Sequence, residues 1–235
     1  MENNDKETLV DACQKIVQKI YKIAPPINKD GKVDYYIAGS LITNVLPKIK
    51  IMNNYKIGVN GHVEKIDTII IENKSKESFL ECVRPSVSKD IDIVCLGNDP
   101  YIIGKKENGF PPSAYYIREG IEEEFDLMFL NRNGDLMDRL ESVEELEEFE
   151  MSESILEDGT KIYMPTLLSI LKFKAREVSL LEDKQKEEDL NKLVNAIKLI
   201  YDENIINEIL SEYKTERVKK WWKKYQSNAS WLIFF

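Results

Sequence analysis

The sequence predicts a mixed α/β protein with a helical C-terminal part. Up to Met164, short apolar segments of strand length are separated by turn signals and follow an amphipathic N-terminal helix. After Pro165, apolar side chains recur at helical spacing. We therefore expect an α/β domain over residues 1–164 and a C-terminal helical domain, a bundle, over residues 165–235.

Composition excludes several classes of protein. The 235 residues are 43% hydrophobic and 32% charged, which excludes disordered, collagen-like and low-complexity chains. No apolar run approaches the length of a membrane span, so no membrane segment is expected, and the polar start of the chain argues against a signal peptide. Cys13, Cys82 and Cys95 form neither a disulfide pattern nor a zinc motif, so we expect a cytoplasmic protein.

The charges are acidic overall and unevenly distributed. Acidic residues outnumber basic ones by 42 to 33, so we do not expect nucleic acid to bind over the whole surface. Residues 141–158 contain nine acids and no base, whereas residues 214–224 contain six bases and one acid. Any contact with nucleic acid is therefore expected to be local.

The elements of the α/β part follow from hydrophobic period and turn signals. Residues 6–23 have helical spacing, and the Pro25-Pro26 pair ends that helix. A short buried strand is expected over residues 33–38, then a tight turn, then a helix from Leu41 with Ser40 near its N-cap. Further strands are expected at residues 55–59, 62–71, 90–96, 125–130 and 161–164, with hairpin turns at Asn60-Gly61 and Asp158-Gly159.

The C-terminal part is predicted to be helical throughout. Pro165 suits the first turn of a helix, since the proline nitrogen has no hydrogen to leave unpaired there. The spacing of apolar residues predicts helices over residues 167–181, 187–201, 203–213 and 215–225.

Asp90 and Asp92 are candidate metal ligands in the predicted strand 90–96. Because side chains alternate along a strand, the two carboxylates share one face, with their Cα atoms about 7 Å apart, while Ile91 and Ile93 face a core. Two such carboxylates repel each other unless a cation lies between them. Since His62 is the single histidine, oxygen ligands and a hard ion such as Mg²⁺ are expected. The alternative is a solvated strand end.

Asp126 is an acid within the apolar strand 125–130. A buried carboxylate is costly unless it is paired or bound to a metal. If this strand lies beside the strand of Asp90, three carboxylates converge, and three acids can hold two magnesium ions for in-line phosphoryl or nucleotidyl transfer. The alternative is that Asp126 lies on an edge strand and faces solvent.

Gly39 and Ser40 are candidate phosphate-binding residues because they close a strand and open a helix. Glycine lets a ligand approach the backbone closely, and a helix N-terminus attracts phosphate. Strand-to-helix turns of this kind are common, so the prediction depends on the acids nearby.

Three bases in the predicted helix 167–181 are the second candidate for binding phosphate. Lys174 falls within the apolar stripe of that helix, which is unusual for a lysine, and Lys172 and Arg176 share an adjacent flank. These bases could meet a triphosphate in a cleft between the two halves. The alternative is that their charged ends reach solvent along the helix surface.

The basic segment 217–224 is a candidate RNA-docking site. It places five bases around Trp221 and Trp222, and such segments bind phosphates with the bases and stack nucleotide bases on the indoles. The alternative is that the tryptophans anchor the last helix in the core and the lysines form a solvated face.

These motifs resemble a known superfamily. Gly39-Ser40, the Asp90-x-Asp92 pair and Asp126 on a following strand resemble the DNA polymerase β-like nucleotidyltransferases. The segment LLSILKFKA and the later Asp189-Leu190 are similar, more specifically, to the abortive-infection nucleotidyltransferase toxins of bacterial toxin–antitoxin systems. The resemblance spans residues 33–200.

The resemblance implies a fold, a reaction and a metal. The fold would be a mixed sheet flanked by helices, and the reaction would transfer a nucleoside monophosphate from a nucleoside triphosphate to an acceptor hydroxyl. Asp90 and Asp92 would hold Mg²⁺ or Mn²⁺, and Asp126 would bind one ion and help to activate the acceptor hydroxyl.

The resemblance also implies how the nucleotide binds and which partners to expect. Gly39 and Ser40 would hold the β- and γ-phosphates, with Lys172 and Lys174 as electrostatic helpers. A tRNA end or a protein side chain would suit a toxin, which would have an antitoxin partner. A small antibiotic hydroxyl would suit a resistance enzyme of the same superfamily, and a non-catalytic nucleotide-binding protein is the remaining alternative.

Overall fold

The computed structural model describes residues 3–23, 25–27, 31–58, 62–86, 90–96, 114–118, 121–130, 149–180 and 183–212. Within these ranges the protein is mixed α/β, as the sequence predicts, with six α-helices and eight strands. In chain order they are α1 (Asn3–Ile23), β1 (Tyr35–Ile37), α2 (Gly39–Val45), β2 (Ile49–Ile57), β3 (Val63–Ile70), α3 (Asn73–Glu81), β4 (Asp90–Cys95), β5 (Ala114–Arg118), β6 (Ile121–Leu130), β7 (Phe149–Leu156), β8 (Lys161–Pro165), α4 (Leu167–Leu180), α5 (Lys184–Ile197) and α6 (Glu203–Glu212).

The chain divides into two compact units. The first consists of the residues up to Ile71 and of Val83–Pro165, and it contains α1, α2 and all the described strands. The second consists of Glu72–Cys82 and the residues from Thr166 onward, and it contains α3, α4, α5 and α6. Helix α3, which the sequence pattern did not predict, thus belongs to the second unit although it lies between β3 and β4 in the chain.

The first sheet of the first unit is mixed and has the order β1-β4-β6-β5. β4 pairs with β1 and β6, antiparallel to β1 and parallel to β6, and β5 pairs antiparallel with β6. The predicted strands at residues 33–38, 90–96 and 125–130 are confirmed, although β6 starts four residues earlier than expected. Ile91 and Ile93 are fully buried, as predicted for the core face of β4, and so is Ile37 of β1, the register partner of Ile93.

The second sheet is antiparallel and has the order β3-β2-β7-β8. The predicted hairpin of β2 and β3 is confirmed by their pairing, in which Ile57 lies opposite Val63, and the Asn60-Gly61 turn itself lies outside the described residues. β2 begins at Ile49, six residues before the predicted start. The hairpin of β7 and β8 is also confirmed, since Gly159 has a φ of 84° and the Thr160 amide donates to the Asp158 carboxylate at 2.9 Å.

The two sheets pack against each other through a buried apolar cluster. Tyr36, Ala38, Val94 and Leu96 come from β1, β4 and the residues that follow them, and they meet Met151 and Tyr163 of β7 and β8. Through Val94, β4, the strand of the candidate acids, packs against the second sheet. Its isoleucines, Ile91 and Ile93, are buried on the opposite face of the strand.

Helix α2 begins at Gly39, so the prediction that Ser40 lies near the N-cap is corrected. The N-cap residue is Ala38, and no side chain caps the helix. Gly39 has a left-handed φ of 73°, which turns the chain sharply and lets the helix start directly after the strand. Ser40 therefore lies inside the first turn, where it is buried.

The second unit contains the predicted C-terminal helices. The helices expected over residues 167–181, 187–201 and 203–213 correspond to α4, α5 and α6, and α5 starts three residues early because Asp183 caps it by accepting from the Gln185 amide at 2.8 Å. The helix expected over residues 215–225 lies outside the described residues, so the bundle stays a prediction. In the part of the chain that the structure describes, no helix is both long and apolar enough to cross a membrane.

Candidate functional site

Asp90 and Asp126 are register partners on neighbouring parallel strands. β4 pairs with β6 from Asp90 opposite Asp126 to Val94 opposite Leu130. Asp92 lies two residues along β4 from Asp90, so the three acid positions belong to one face of the sheet. The strands are adjacent, as the metal-site prediction requires. β5 pairs with β6 only from Ile121 to Phe125, so the alternative that Asp126 lies at a strand edge stays open.

Gly39 lies directly against the carboxylate of Asp92. The Ala38 amide donates to the Asp92 carbonyl oxygen at 2.8 Å, which continues the pairing of β1 with β4 up to the turn. A Cβ atom on Gly39 would overlap Asp92 Oδ2 and lie 3.0 Å from Asp92 Cγ. Gly39 and Asp92, which are about fifty residues apart in sequence, therefore meet in the structure.

Asn44 is a functional candidate that the sequence interpretation missed. It is fully buried on α2, and its Oδ1 accepts from the Arg84 amide at 2.9 Å. This bond ties the helix that follows Gly39-Ser40 to the segment that leads toward β4. A polar residue inside the apolar run LITNVL was the available signal, because a buried amide usually has a hydrogen-bonding task.

Cys13 packs near Asn44 and is not a nucleophile. Burial raises the pKa of the Cys13 thiol to about 12, and the polar Asn44 side chain opposes only part of that shift. The thiolate is the reactive form of cysteine, so a thiol with this pKa is inert at neutral pH.

Lys174 is buried on α4, as its place in the apolar stripe predicts. It is 7% exposed, and Leu167, Leu171 and Val178 of the same helix are fully buried. Its Nζ lies 3.0 Å from Glu177 Oε2, and the other oxygen of that carboxylate lies 3.2 Å from Lys186 Nζ of α5. One carboxylate thus joins two ammonium groups within the second unit.

The charge of Glu177 is held by these two lysines. Burial alone would raise the pKa of Glu177, but the ammonium groups of Lys174 and Lys186 outweigh it and hold the pKa below its ordinary value. Neither Glu177 nor Lys186 was predicted as a site residue. The spacing of three between Lys174 and Glu177 was a usable signal, whereas Lys186 depends on how α5 packs against α4.

The remaining predicted site residues are the other two bases of α4 and the basic segment 217–224. Lys172 is half-buried on α4 and Arg176 is exposed, in agreement with the alternative that the charged end of Arg176 reaches solvent. The prediction that Lys172 and Lys174 meet a triphosphate together with Gly39 and Ser40 stays a prediction. The basic segment 217–224 lies outside the described residues.

Comparison of the chain with models of known families, with curated proteins and with solved structures finds no match. Among the side chains that the structure describes, which do not include those of Asp90 and Asp126, no group of three or more histidines, cysteines and acids is placed to hold a metal ion.

Proposed function

We propose that the protein is a magnesium-dependent nucleotidyltransferase that transfers a nucleoside monophosphate from a nucleoside triphosphate to an acceptor hydroxyl. The observation that supports this most is the register of Asp90 with Asp126 on adjacent parallel strands, with Asp92 two residues on and packed against Gly39. Strand register and a glycine contact are independent features, and both support the proposal.

The donor set fits a divalent metal ion. Asp90, Asp92 and Asp126 offer carboxylate oxygens only, which is the ligand type that Mg²⁺ and Mn²⁺ prefer. The missing Cβ of Gly39 leaves the space that the Asp92 carboxylate occupies, so the turn and the acid fit each other closely. When bound, the metal would polarise the α-phosphoryl group and neutralise the leaving pyrophosphate.

The residues of this chain would then act on the substrates as follows. Asp126 accepts the proton of the acceptor hydroxyl, and the hydroxyl oxygen forms a new bond to the α-phosphorus. The bond from the α-phosphorus to the oxygen that bridges it to the β-phosphorus breaks, and pyrophosphate leaves with that electron pair. The Gly39 backbone and the Ser40 hydroxyl hold the β- and γ-phosphates.

The acceptor is proposed to be the end of a tRNA. Five bases around Trp221 and Trp222 in residues 217–224 give an otherwise acidic chain one local segment suited to RNA. This assignment follows the resemblance to abortive-infection toxins, which also suggests a cytoplasmic location and an antitoxin partner.

The test is transfer of label from each α-³²P nucleoside triphosphate to total tRNA in the presence of Mg²⁺. We expect label in the tRNA band with wild type and none with Asp92→Asn. Asp5→Asn, which changes an exposed acid of α1, serves as the control and should transfer like wild type. Label in the protein band would show that the acceptor is a protein rather than tRNA, and the proposed reaction would still hold.

Absence of transfer from all four nucleotides to both RNA and protein would contradict the proposal. Undiminished transfer by Asp92→Asn would contradict the assignment of the site.

A further inference from the structure

We propose that Asn44 is a positioning residue of the acid site, and that it acts through helix α2 to hold Gly39 against the Asp92 carboxylate. The inference rests on the proposed function for the metal ion that the acids would bind. It comes from two contacts, one toward each end of α2, that join this helix to β4 and to the residues ahead of β4.

The N-terminal end of α2 is anchored at β4. The amide of Ala38, the N-cap residue, donates to the Asp92 carbonyl oxygen at 2.8 Å. Gly39, the first residue of α2, lies so close to the Asp92 carboxylate that a Cβ atom would overlap Oδ2. Because the two groups are in direct contact, the position of this carboxylate depends on how the first turn of α2 lies.

The other end of α2 is anchored by Asn44. This residue follows Gly39 by five positions, and its side chain is fully buried. Its Oδ1 accepts from the backbone amide of Arg84 at 2.9 Å. Arg84 lies six residues before the first residue of β4 and belongs to the same compact unit as α2. A short α-helix is stiff, so its two anchors fix its tilt, and loss of one lets it turn about the other.

The Asn44 side chain is poorly suited to stabilise the fold by itself. Among the residues that the structure describes, its amide nitrogen meets no oxygen acceptor, and it lies near the thiol of Cys13, which is a weak one. A buried donor of this kind carries a desolvation cost that offsets much of what the bond to Arg84 contributes. The clearer consequence of that bond is therefore where α2 lies.

Hydrogen exchange of two backbone amides, measured by nuclear magnetic resonance on the metal-free full chain, tests the positioning directly. The Ala38 amide reports the contact with Asp92, and the Leu96 amide, which donates to the Asp34 carbonyl oxygen at 2.9 Å, reports the far end of the pairing of β1 with β4. In Asn44→Leu we expect the Ala38 amide to exchange about tenfold faster relative to the Leu96 amide, because α2 opens locally. Asn44→Asp keeps the side-chain size and an oxygen acceptor, so its ratio should stay within about threefold of wild type.

Mn²⁺ binding is the second readout. Loss of a residue that orients a metal ligand typically weakens metal binding about 10- to 100-fold, so we expect Asn44→Leu to weaken it at least about tenfold and Asn44→Asp to keep most of it. Asn54→Leu is the matched control, since Asn54 is also a buried asparagine and donates to Asp67 at 2.7 Å within the second sheet. It should lower the unfolding temperature and leave the exchange ratio and the Mn²⁺ affinity as in wild type.

The unfolding temperature of each variant shows whether it folds, and Asn44→Ala replaces Asn44→Leu if leucine prevents folding. The inference is overturned if the exchange ratio of the Asn44 variant equals that of wild type. It is also overturned if wild type binds Mn²⁺ and this variant binds it equally, or if Asn54→Leu changes both readouts as much. Failure of the proposed function looks different, because wild type then binds no Mn²⁺ while the exchange ratio still responds to the loss of Asn44.

Discussion

Gly39 and Asp92 are in contact so close that no other residue fits at position 39 while the acid keeps its place. A Cβ atom there would overlap Asp92 Oδ2, and the left-handed φ of 73° would strain any other residue in addition. A substitution at Gly39 is therefore expected to displace the Asp92 carboxylate.

Gly39→Ala should be more destabilising than the same change at a glycine that has only the strained φ. Gly159 has a φ of 84° and open space around its Cβ position, so Gly159→Ala should cost about 1–2 kcal/mol of unfolding free energy. Gly39→Ala should cost about 1–3 kcal/mol more, because the Asp92 carboxylate must move. Urea unfolding measures both, and equal losses would show that the overlap is relieved without cost.

The ion pairs of Glu177 predict that removing the carboxylate destabilises the fold more than removing the ammonium group of Lys174. Glu177→Gln leaves the buried Lys174 without this carboxylate and should cost about 1–3 kcal/mol, less than a fully buried pair because Glu177 is partly exposed. Lys174→Met should cost less than about 1 kcal/mol, since Glu177 keeps Lys186 and the methionine suits the apolar stripe. Glu188→Gln, at an exposed position of α5, is the control for a simple loss of charge. A larger loss in Lys174→Met than in Glu177→Gln would contradict this account.

The stabilisation by Glu177 should depend on pH. Its pKa is held below its ordinary value in the folded protein, so the contribution is fully present above the unfolded pKa of about 4.5 and is lost as pH falls through the folded pKa. The difference in unfolding free energy between wild type and Glu177→Gln should therefore shrink between about pH 6 and pH 3. A difference that is constant over this range would show that the ion pairs do not stabilise the fold.

Local sequence signals predicted a good part of this fold. Asn60-Gly61 and Asp158-Gly159 predicted the hairpins of β2 with β3 and β7 with β8, because few other dipeptides adopt the required backbone conformations. Helical period predicted the burial of Lys174, and alternation along β4 predicted the buried Ile91 and Ile93.

Elements without such signals were missed. The strand β7 was missed because two of its buried positions hold serines, Ser152 and Ser154, whose hydroxyls share a hydrogen bond of 3.0 Å. β6 begins with acids at Glu122–Glu124, which disfavour a strand, and pairs there with the unpredicted β5. The link from Glu177 to Lys186 depends on the packing of two helices, which spacing in the sequence does not specify.

The basic segment 217–224 predicts salt-dependent binding of tRNA. Neutralising Lys219, Lys220, Lys223 and Lys224 to glutamine should weaken binding and make the dependence of log Kd on log salt shallower, by about 0.7–0.9 for each phosphate that the protein no longer neutralises. Filter binding over a range of salt concentrations measures the slope. If the neutralised protein binds tRNA as tightly as wild type, this segment is not the RNA-docking site.

The central claim is that Asp90, Asp92 and Asp126 form one site for a divalent metal ion. Titration with Mn²⁺, followed by the loss of the free-ion electron paramagnetic resonance signal, tests it without depending on activity or on the acceptor. We predict that wild type and the control Asp5→Asn bind Mn²⁺ equally and that Asp92→Asn, with its fold intact by unfolding temperature, loses most of that binding. Equal binding by wild type and Asp92→Asn, or no binding by wild type, would contradict the claim.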